Sequence, residues 1–420
     1  MGKAVTIVGQ GYVGLPLAQA AALSGWKVYG FDISERVVAG LNNGTSHIDD
    51  LTDDDIAEMR SSGYEATTNV EIVGDSDVVV ICVPTPLGEA GAPDLNPIKS
   101  ATSSIAPHLS AETTVILEST TYPGTTEEVC VPLLAAGSGL ELHEDIFVAF
   151  SPERVNPGSQ SYGIKNTPKL VGGVTSEATK RAVDFYSHFI DTVVEMSGAK
   201  EAETAKLLEN TFRHVNIALV NEMAKVCHEL DIDIWEVIRG ASTKPFGFMK
   251  FTPGAGVGGH CIPIDPNYLS YEVRRQLGYP LRFVELAQEI NNSMPIYVVD
   301  RIAEKLNKQR KSVAGADVLI LGVTYKSDIA DQRESPARPV AAELLKRGAN
   351  LNFHDPRVSV WDITPTLSLN CVEDLYEAVD KADVVVLLQK HREYDVDLIE
   401  SRANTLLDSQ GNATLKENRL

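Results

Sequence analysis

Short apolar runs alternate with helical stretches along the first 150 residues. Val5–Val8 is a β-rich run, Leu15–Leu23 reads as a helix closed by Gly25, and Lys27–Phe31 is a second strand ending on Asp32. Asp77–Val83, Thr114–Leu117 and Ile146–Phe150 continue the series. The last three runs end in polar clusters, Pro84-Thr85-Pro86, Glu118-Ser119-Thr120-Thr121 and Ser151-Pro152-Glu153-Arg154. Open parallel sheets bind ligands at the carboxyl ends of their strands, so these clusters point to one crevice. Pro123-Gly124-Thr125-Thr126-Glu127 has the residue types that restart a helix. From Glu201 to Leu230 a helical pattern runs without Gly or Pro. Most of its faces are apolar, as expected of a helix buried between domains or subunits.

The C-terminal third repeats the opening in degraded form. Asp317–Leu321 is a strand and Pro339–Lys346 a helix, and the segment from Gly348 to Asp355 echoes that from Gly25 to Asp32. Lys381–Val386 likewise echoes Asp75–Val80. The glycine-rich turn is missing there and Gly322-Val323-Thr324-Tyr325-Lys326 and Arg333-Glu334-Ser335-Pro336 stand in its place. A dinucleotide-type fold without the glycines but with Lys326 and Arg333 suggests a different nucleotide, held partly by side chains.

A chain of 420 residues has room for two or three domains, each with its own core. A net charge of −21 argues against nucleic acid, which needs a basic surface. A small anionic ligand needs only a few local cations and backbone amides. The five cysteines are scattered without a C-x-x-C pair, and the histidines lack ligand spacing, so neither a disulfide scaffold nor a metal site is expected. No apolar run approaches a membrane span and no leader pattern opens the chain, which points to the cytoplasm.

The chemistry gathers at three places. Gly9-Gln10-Gly11-Tyr12-Val13-Gly14 lies between the first strand and the first helix, and Asp32 follows 18 residues after the last glycine. Strand, G-x-G-x-x-G, helix and acid in this register form a dinucleotide fingerprint. Asp32 can accept from both ribose hydroxyls and would repel a 2′-phosphate, which favours NAD over NADP. In the long helix, Lys206, Asn210 and Arg213 fall at i, i+4 and i+7, on one stripe suited to an anionic or oxyanionic ligand. Between Phe251 and Asp265, four glycines (Gly254, Gly256, Gly258 and Gly259) precede Cys261 and Asp265. Glycine permits φ > 0 and close approach of backbone amides to a ligand. The alternative there is a tight surface loop with an incidental cysteine.

The motifs GQGYVGLPLA, VPTP, ESTTYPGTTEE, FSPERVNPG, KLLENTFRHVNIALVNE, GVGGHCIPIDP and TYKSDIADQRESP together resemble the nucleotide-sugar 6-dehydrogenases over essentially the full length. TTYPGTT, SPERVNPG and TKPFGF look most similar to the UDP-N-acetylglucosamine branch. The resemblance implies an α/β protein with two Rossmann-like doubly wound domains, joined by a long central helix and a helical middle region. Residues 1–198 are the expected NAD-binding domain, 199–300 a central helical dimerisation domain carrying the cysteine loop, and 301–420 a UDP-sugar-binding Rossmann-like domain.

It further implies Cys261 as nucleophile, with Lys206, Asn210, Asp265, Glu153 and Thr120 as its catalytic companions. Gly9, Gly11, Tyr12, Val13, Gly14, Asp32, Thr85 and Thr120 are the candidate NAD contacts. Arg154, Val155, Lys206, Asn210, Arg213, Gly258, Lys326 and Arg333 are the candidate substrate contacts. The sequence departs from the UDP-glucose branch at Arg154 and Val155, at Pro157 in place of a second glutamate, and at His260. Val37 stands where the family has a basic residue near the ribose. The implied reaction is a four-electron oxidation of a UDP-N-acetylhexosamine at C6 in polysaccharide precursor synthesis, by a homodimer or larger oligomer. UDP-N-acetylmannosamine and UDP-glucose are the alternative substrates. A one-step hydroxyacid-type dehydrogenase and a non-enzymatic NAD sensor are the rival readings, and neither needs Cys261.

Overall fold

The computed structural model describes residues 3–86, 88, 92–155, 162–259 and 262–420. The chain divides into two compact units, Met1–Glu209 with Asn267–Tyr279, and Asn210–Pro266 with Pro280–Leu420.

Among the described residues the first unit is built on eight strands. These are β1 (Ala4–Val8), β2 (Lys27–Phe31), β3 (Tyr64–Thr67), β4 (Val78–Ile81), β5 (Thr113–Leu117), β6 (Ile146–Phe150), β7 (Lys169–Gly173) and β8 (Val193–Glu195). They lie in the order β3-β2-β1-β4-β5-β6-β7-β8. Strands β1 to β6 pair in parallel, β7 runs antiparallel to β6, and β8 is parallel to β7. Residues of β1, β5 and β6 are buried throughout, because helices cover both faces and leave no polar side to alternate with. On one face Leu15, Leu17 and Ala18 of α1 (Gly14–Leu23) share a core with Phe185 and Tyr186 of α2 (Ser176–Ser187).

The expected strand Asp77–Val83 is shorter as built. The Ile81 carbonyl accepts from both Glu118 and Ser119 amides, which turns the chain out of the ladder. The helix expected from Pro123 begins instead as a wide π-type turn at Thr126–Cys130 and becomes regular only at Val131–Ser138. The long helix α3 (Ala199–Glu229) begins in this unit, and most of α4 (Asp265–Leu277) belongs to it as well.

In the second unit, β9 (Asp317–Leu321), β10 (Asn350–His354), β13 (Val384–Leu387) and β14 (Leu406–Asp408) form a parallel sheet in the order β10-β9-β13-β14. Strands β11 (Val360–Thr364) and β12 (Leu367–Asn370) form a separate antiparallel ribbon. Helix α5 (Arg282–Lys308) places Met294, Val298 and Ile302 in one core with Val340 and Leu344 of α6 (Ala337–Lys346).

The internal echo is borne out bond by bond. Gly9 N–H donates to the Phe31 carbonyl (2.8 Å), and Gly322 N–H to that of His354 (3.0 Å). Asp32 accepts from the Gln10 (2.9 Å) and Ser34 (2.9 Å) amides. Asp355 accepts likewise from those of Val323 (2.8 Å) and Arg357 (2.8 Å). Both turn glycines have positive φ, +94° at Gly9 and +76° at Gly322, and a Cβ on either would strike a carbonyl of the neighbouring strand end. The repeats part at the acid. Asp32 is partly open, whereas Asp355 is 3% exposed and takes His391 Nε2 at 3.1 Å. The Asp328 amide donates to His391 Nδ1 (3.0 Å), so the proton sits on Nε2 and points at the carboxylate.

Glu203, near the start of α3, ties that helix to the turn after β5. Its carboxylate accepts from the Gly124 amide (2.6 Å), the Thr126 amide (2.9 Å) and the Thr126 hydroxyl (2.7 Å). Burial raises its pKa to about 7 against the pull of these donors. The folded protein therefore binds a proton between pH 4.5 and about 7 that the unfolded chain releases, and stability falls as pH rises through that window. Replacing Glu203 by Gln removes the titration. The stability of wild type minus that of Glu203→Gln, from urea unfolding between pH 5 and 8, is expected to decline with pH. Glu203→Ala orphans the buried amides and costs about 1–3 kcal/mol for each. A wild-type-minus-variant difference for Glu203→Gln that stays flat or rises with pH would refute the assignment.

Candidate active site

The first unit carries the dinucleotide turn. Gly9 and Gly14 serve packing, since a Cβ on Gly14 would lie 1.9 Å from the Gly9 carbonyl oxygen. Gly11 differs, for a Cβ there meets nothing within 4 Å. The opening over the turn is thus at Gly11. Helix α1 starts beyond it with no side-chain cap and no acid in its first turn, which leaves N–H groups and the helix dipole for a pyrophosphate. Asp32 is fixed by two amides and keeps lone pairs for ribose hydroxyls. These residues fit NAD. Tyr12 is 43% exposed beside the turn and Val13 packs partly against the core. The Thr85 carbonyl accepts from Tyr268 of α4, and Thr120 is half-buried at the end of β5.

At the end of β6, two site residues meet. Lys206 of α3 is 8% exposed and its ammonium donates to the Glu153 main-chain carbonyl (2.5 Å). The Glu153 carboxylate accepts from the Val155 amide and lies 3.6 Å from the ammonium of Lys169. Arg154 is turned to Glu209 (2.6 Å) and to the Pro168 carbonyl (2.5 Å). Sequence reading missed Lys169. A lysine at the first position of an apolar strand reads as a solvent-facing end, yet this one is 5% exposed. It pairs with Glu118, itself 1% exposed, which also accepts from the Tyr186 hydroxyl (2.8 Å) and the Cys82 thiol (3.5 Å).

In the second unit, Asn210 donates to Asp265 (2.5 Å), a carboxylate 3% exposed at the start of α4. Arg213 is exposed on the next turn of α3. Cys261, His260 and Pro157 lie outside the described residues. The glycines before the cysteine are packing residues as well as turn formers. A Cβ on Gly258 would lie 2.7 Å from the Glu334 carbonyl oxygen, and one on Gly259 would press on the Tyr325 ring. Gly258 thus adjoins the loop that carries Lys326 and Arg333, where Arg333 pairs with Asp331 (2.8 Å).

The glycine segment itself is tied to α3 by a buried polar ladder at Gly254, also missed from sequence. The Gly254 amide donates to Asn221 (3.0 Å), Asn221 to Asn291 of α5 (2.9 Å), and Asn291 to the His214 carbonyl (3.3 Å). Burial lowers the His214 pKa to about 4, so its ring is neutral. The signal would have been the polar pair His214 and Asn221, which continues the Lys206–Asn210 stripe along an otherwise apolar helix.

Three models of the UDP-glucose/GDP-mannose dehydrogenase family match the chain: its NAD binding domain over residues 3–190, its central domain over 200–293, and its UDP binding domain over 319–411. Protein CapL of Staphylococcus aureus is 36% identical over 395 residues, covering 94% of this chain and 91% of CapL. The UDP-N-acetyl-D-glucosamine 6-dehydrogenase of Pseudomonas aeruginosa is 39% identical over 360 residues, covering 85% and 84%. The solved UDP-D-ManNAc dehydrogenase of Pyrococcus horikoshii superposes with a TM-score of 0.87 at 32% identity, over 96% of this chain and 94% of that one. With the NAD-type turn in place and family matches covering most of its length, the chain belongs to the UDP-glucose/GDP-mannose dehydrogenase family, NAD-dependent oxidoreductases acting on nucleotide sugars.

Proposed function

We propose that the protein oxidises the C6 hydroxyl of a UDP-N-acetylhexosamine to the carboxylate, consuming two NAD and one water, in polysaccharide precursor synthesis. The observation that carries this reading is the buried Lys206 ammonium at the Glu153 strand end, where the sugar alcohol would become an alkoxide. NAD, when bound, accepts the hydride at each oxidation. Lys206 and Asn210 stabilise the alkoxide and tetrahedral oxyanions, each such donor being worth about 3 kcal/mol. An aldehyde has no route to the acid level until a nucleophile adds to it. Cys261 adds as thiolate to give a thiohemiacetal, and its oxidation leaves a thioester. Asp265 is buried on Asn210, which leaves Glu153 as the carboxylate that positions and deprotonates the hydrolytic water, with Thr120 as a further group to position it. Lys326 and Arg333 hold the UDP phosphates in the C-terminal Rossmann-like domain.

Two NADH are expected for each sugar consumed, and Cys261→Ala is expected to abolish uronic acid formation. Measuring NADH by absorbance against sugar consumed decides it. A ratio of one, or a Cys261→Ala enzyme making acid near the wild-type rate, removes the thioester route and favours the one-step dehydrogenase.

The sugar preference rests on Arg154 and Val155, which replace bulkier apolar residues of the UDP-glucose branch where the hexose should lie. Arg154 changes the hydrogen-bonding character of the pocket and Val155 its volume, in a way that suits a 2-acetamido group. A site built to hydrogen-bond a substrate group can reject an analogue lacking it by several orders of magnitude. UDP-N-acetylglucosamine is expected first and UDP-N-acetylmannosamine second, a pair that the names of the relatives also divide between them. Steady-state kinetics with both and with UDP-glucose test this, and a kcat/KM for UDP-glucose at or above the acetamido sugars sinks it.

The chain is further proposed to be a homodimer through α3. Leu208 (64% exposed), Phe212, Leu219 (54%), Met223 and Val226 form one apolar stripe along that helix, and Leu230 (64%) follows just past its end. Such a patch marks an interface. Light scattering at micromolar concentration is expected to give twice the chain mass, and a fully active monomer overturns the proposal.

A further inference from the structure

The sheet changes direction at a place where the dinucleotide fold does not need it. Strand β7 runs antiparallel to β6, with Ala149 opposite Gly173 and Phe150 opposite Gly172. Continued three residues further, that register sets Glu153 opposite Lys169. A parallel β7 would have carried its first residue to the far edge of the sheet. The reversal delivers a lysine to the carboxyl-end edge, where ligands bind.

Lys169 is surrounded by groups that fix its charge. Its ammonium contacts Glu118, lies 3.6 Å from Glu153, and stands 5.1 Å above the Tyr186 ring. Burial works against that charge, and the two carboxylates outweigh it and hold the Lys169 pKa above its ordinary value. Burial also pushes Glu118 up, with Lys169 and the Tyr186 hydroxyl pulling against it. A buried ion pair is poor evidence of stabilisation, since a neutral pair of similar shape often serves as well. Glu118 and Lys169 alone would be dispensable in that sense. The second carboxylate is what a neutral pair could not hold.

We propose that Lys169 is a positioning residue that fixes the Glu153 carboxylate for the hydrolytic step, with Glu118 as the anchor for its ammonium. The proposal rests on the reading of Glu153 given above. In that step the water oxygen bonds to the acyl carbon and its proton passes to Glu153. The C–S bond breaks, and sulfur leaves as the Cys261 thiolate. Among the described residues, a Glu153 carboxylate released from Lys169 keeps only the Val155 amide, too little to hold one orientation.

The test separates charge balance from positioning. Lys169→Met leaves Glu118 buried without a counter-ion and is expected to lower the urea midpoint markedly. Lys169→Met/Glu118→Gln removes both charges and is expected to regain most of that stability, because the amide oxygen introduced at position 118 still accepts from Tyr186. Its turnover is nevertheless expected to stay at least tenfold down, with KM for NAD and UDP-sugar within about threefold of wild type. Intact mass spectrometry should find the acyl adduct on the chain after a burst of NADH. Glu118→Gln alone leaves Lys169 on Glu153 and is expected to hydrolyse within threefold of wild type.

A double variant with wild-type kcat overturns the proposal, as does a Glu118→Gln enzyme as slow as Lys169→Met. The second comparison stands even if the double variant fails to fold. Glu153→Gln separates the two levels. If it turns over normally without adduct, the reading of Glu153 is wrong. If it accumulates adduct and the double variant does not, Lys169 has no part in positioning it.

Discussion

A carboxylate gripped by two backbone amides, one from the turn after the first strand and one from the residue two positions on, sets the geometry of both sheets. Asp32 and Asp355 each lock their turn to the neighbouring strand end. Each turn must then carry a glycine at positive φ, because a carbonyl just past the end of β4 or β13 occupies the space of its Cβ. What differs between the sheets is what else reaches the acid. In the first the acid stays partly open. In the second, His391 closes it from the side, and the Asp328 amide behind that ring holds the loop that carries Lys326 and Arg333.

Much of this was legible in the chain because the signals are local. The strand, glycines, helix and acid of the first unit lie within 30 residues, and β2, β6 and β9 have the bounds their apolar runs suggest. The internal repeat was legible for the same reason. What escaped depended on long-range pairing. The reversal of β7 follows a sequence after Phe150 with no hydrophobic periodicity to read, so nothing local marks Lys169 as buried or as the neighbour of Glu153. Glu118 stood within a recognised motif and still received no role, since its partners are 51 and 68 residues away. The glycines before Cys261 were read as room for a ligand, and at Gly258 and Gly259 the room is taken by Glu334 and Tyr325.

Helix α3 explains why one element can carry so many polar groups without losing its place in the core. Glu203, Lys206, His214 and Asn221 are each at most 8% exposed, and each meets a partner, although the His214 ring does so through Nδ1 alone and its Nε2 has none among the described residues. A helix rotates by about 100° per residue, so a single inserted residue anywhere between them would swing all later groups off their partners. The apolar positions along the opposite stripe carry no such restriction.

The histidine laid across Asp355 has a consequence for timing. Among the described residues, only the first repeat then pairs a glycine turn with a partly open acid, while the proposed four-electron oxidation consumes two NAD. Under the proposed mechanism the spent cofactor must therefore depart and a fresh one arrive in the middle of the reaction, with the half-oxidised sugar still aboard. An aldehyde held only by hydrogen bonds could leave during that exchange. The proposed covalent tether to Cys261, needed for the second oxidation in any case, would also hold the sugar through that exchange.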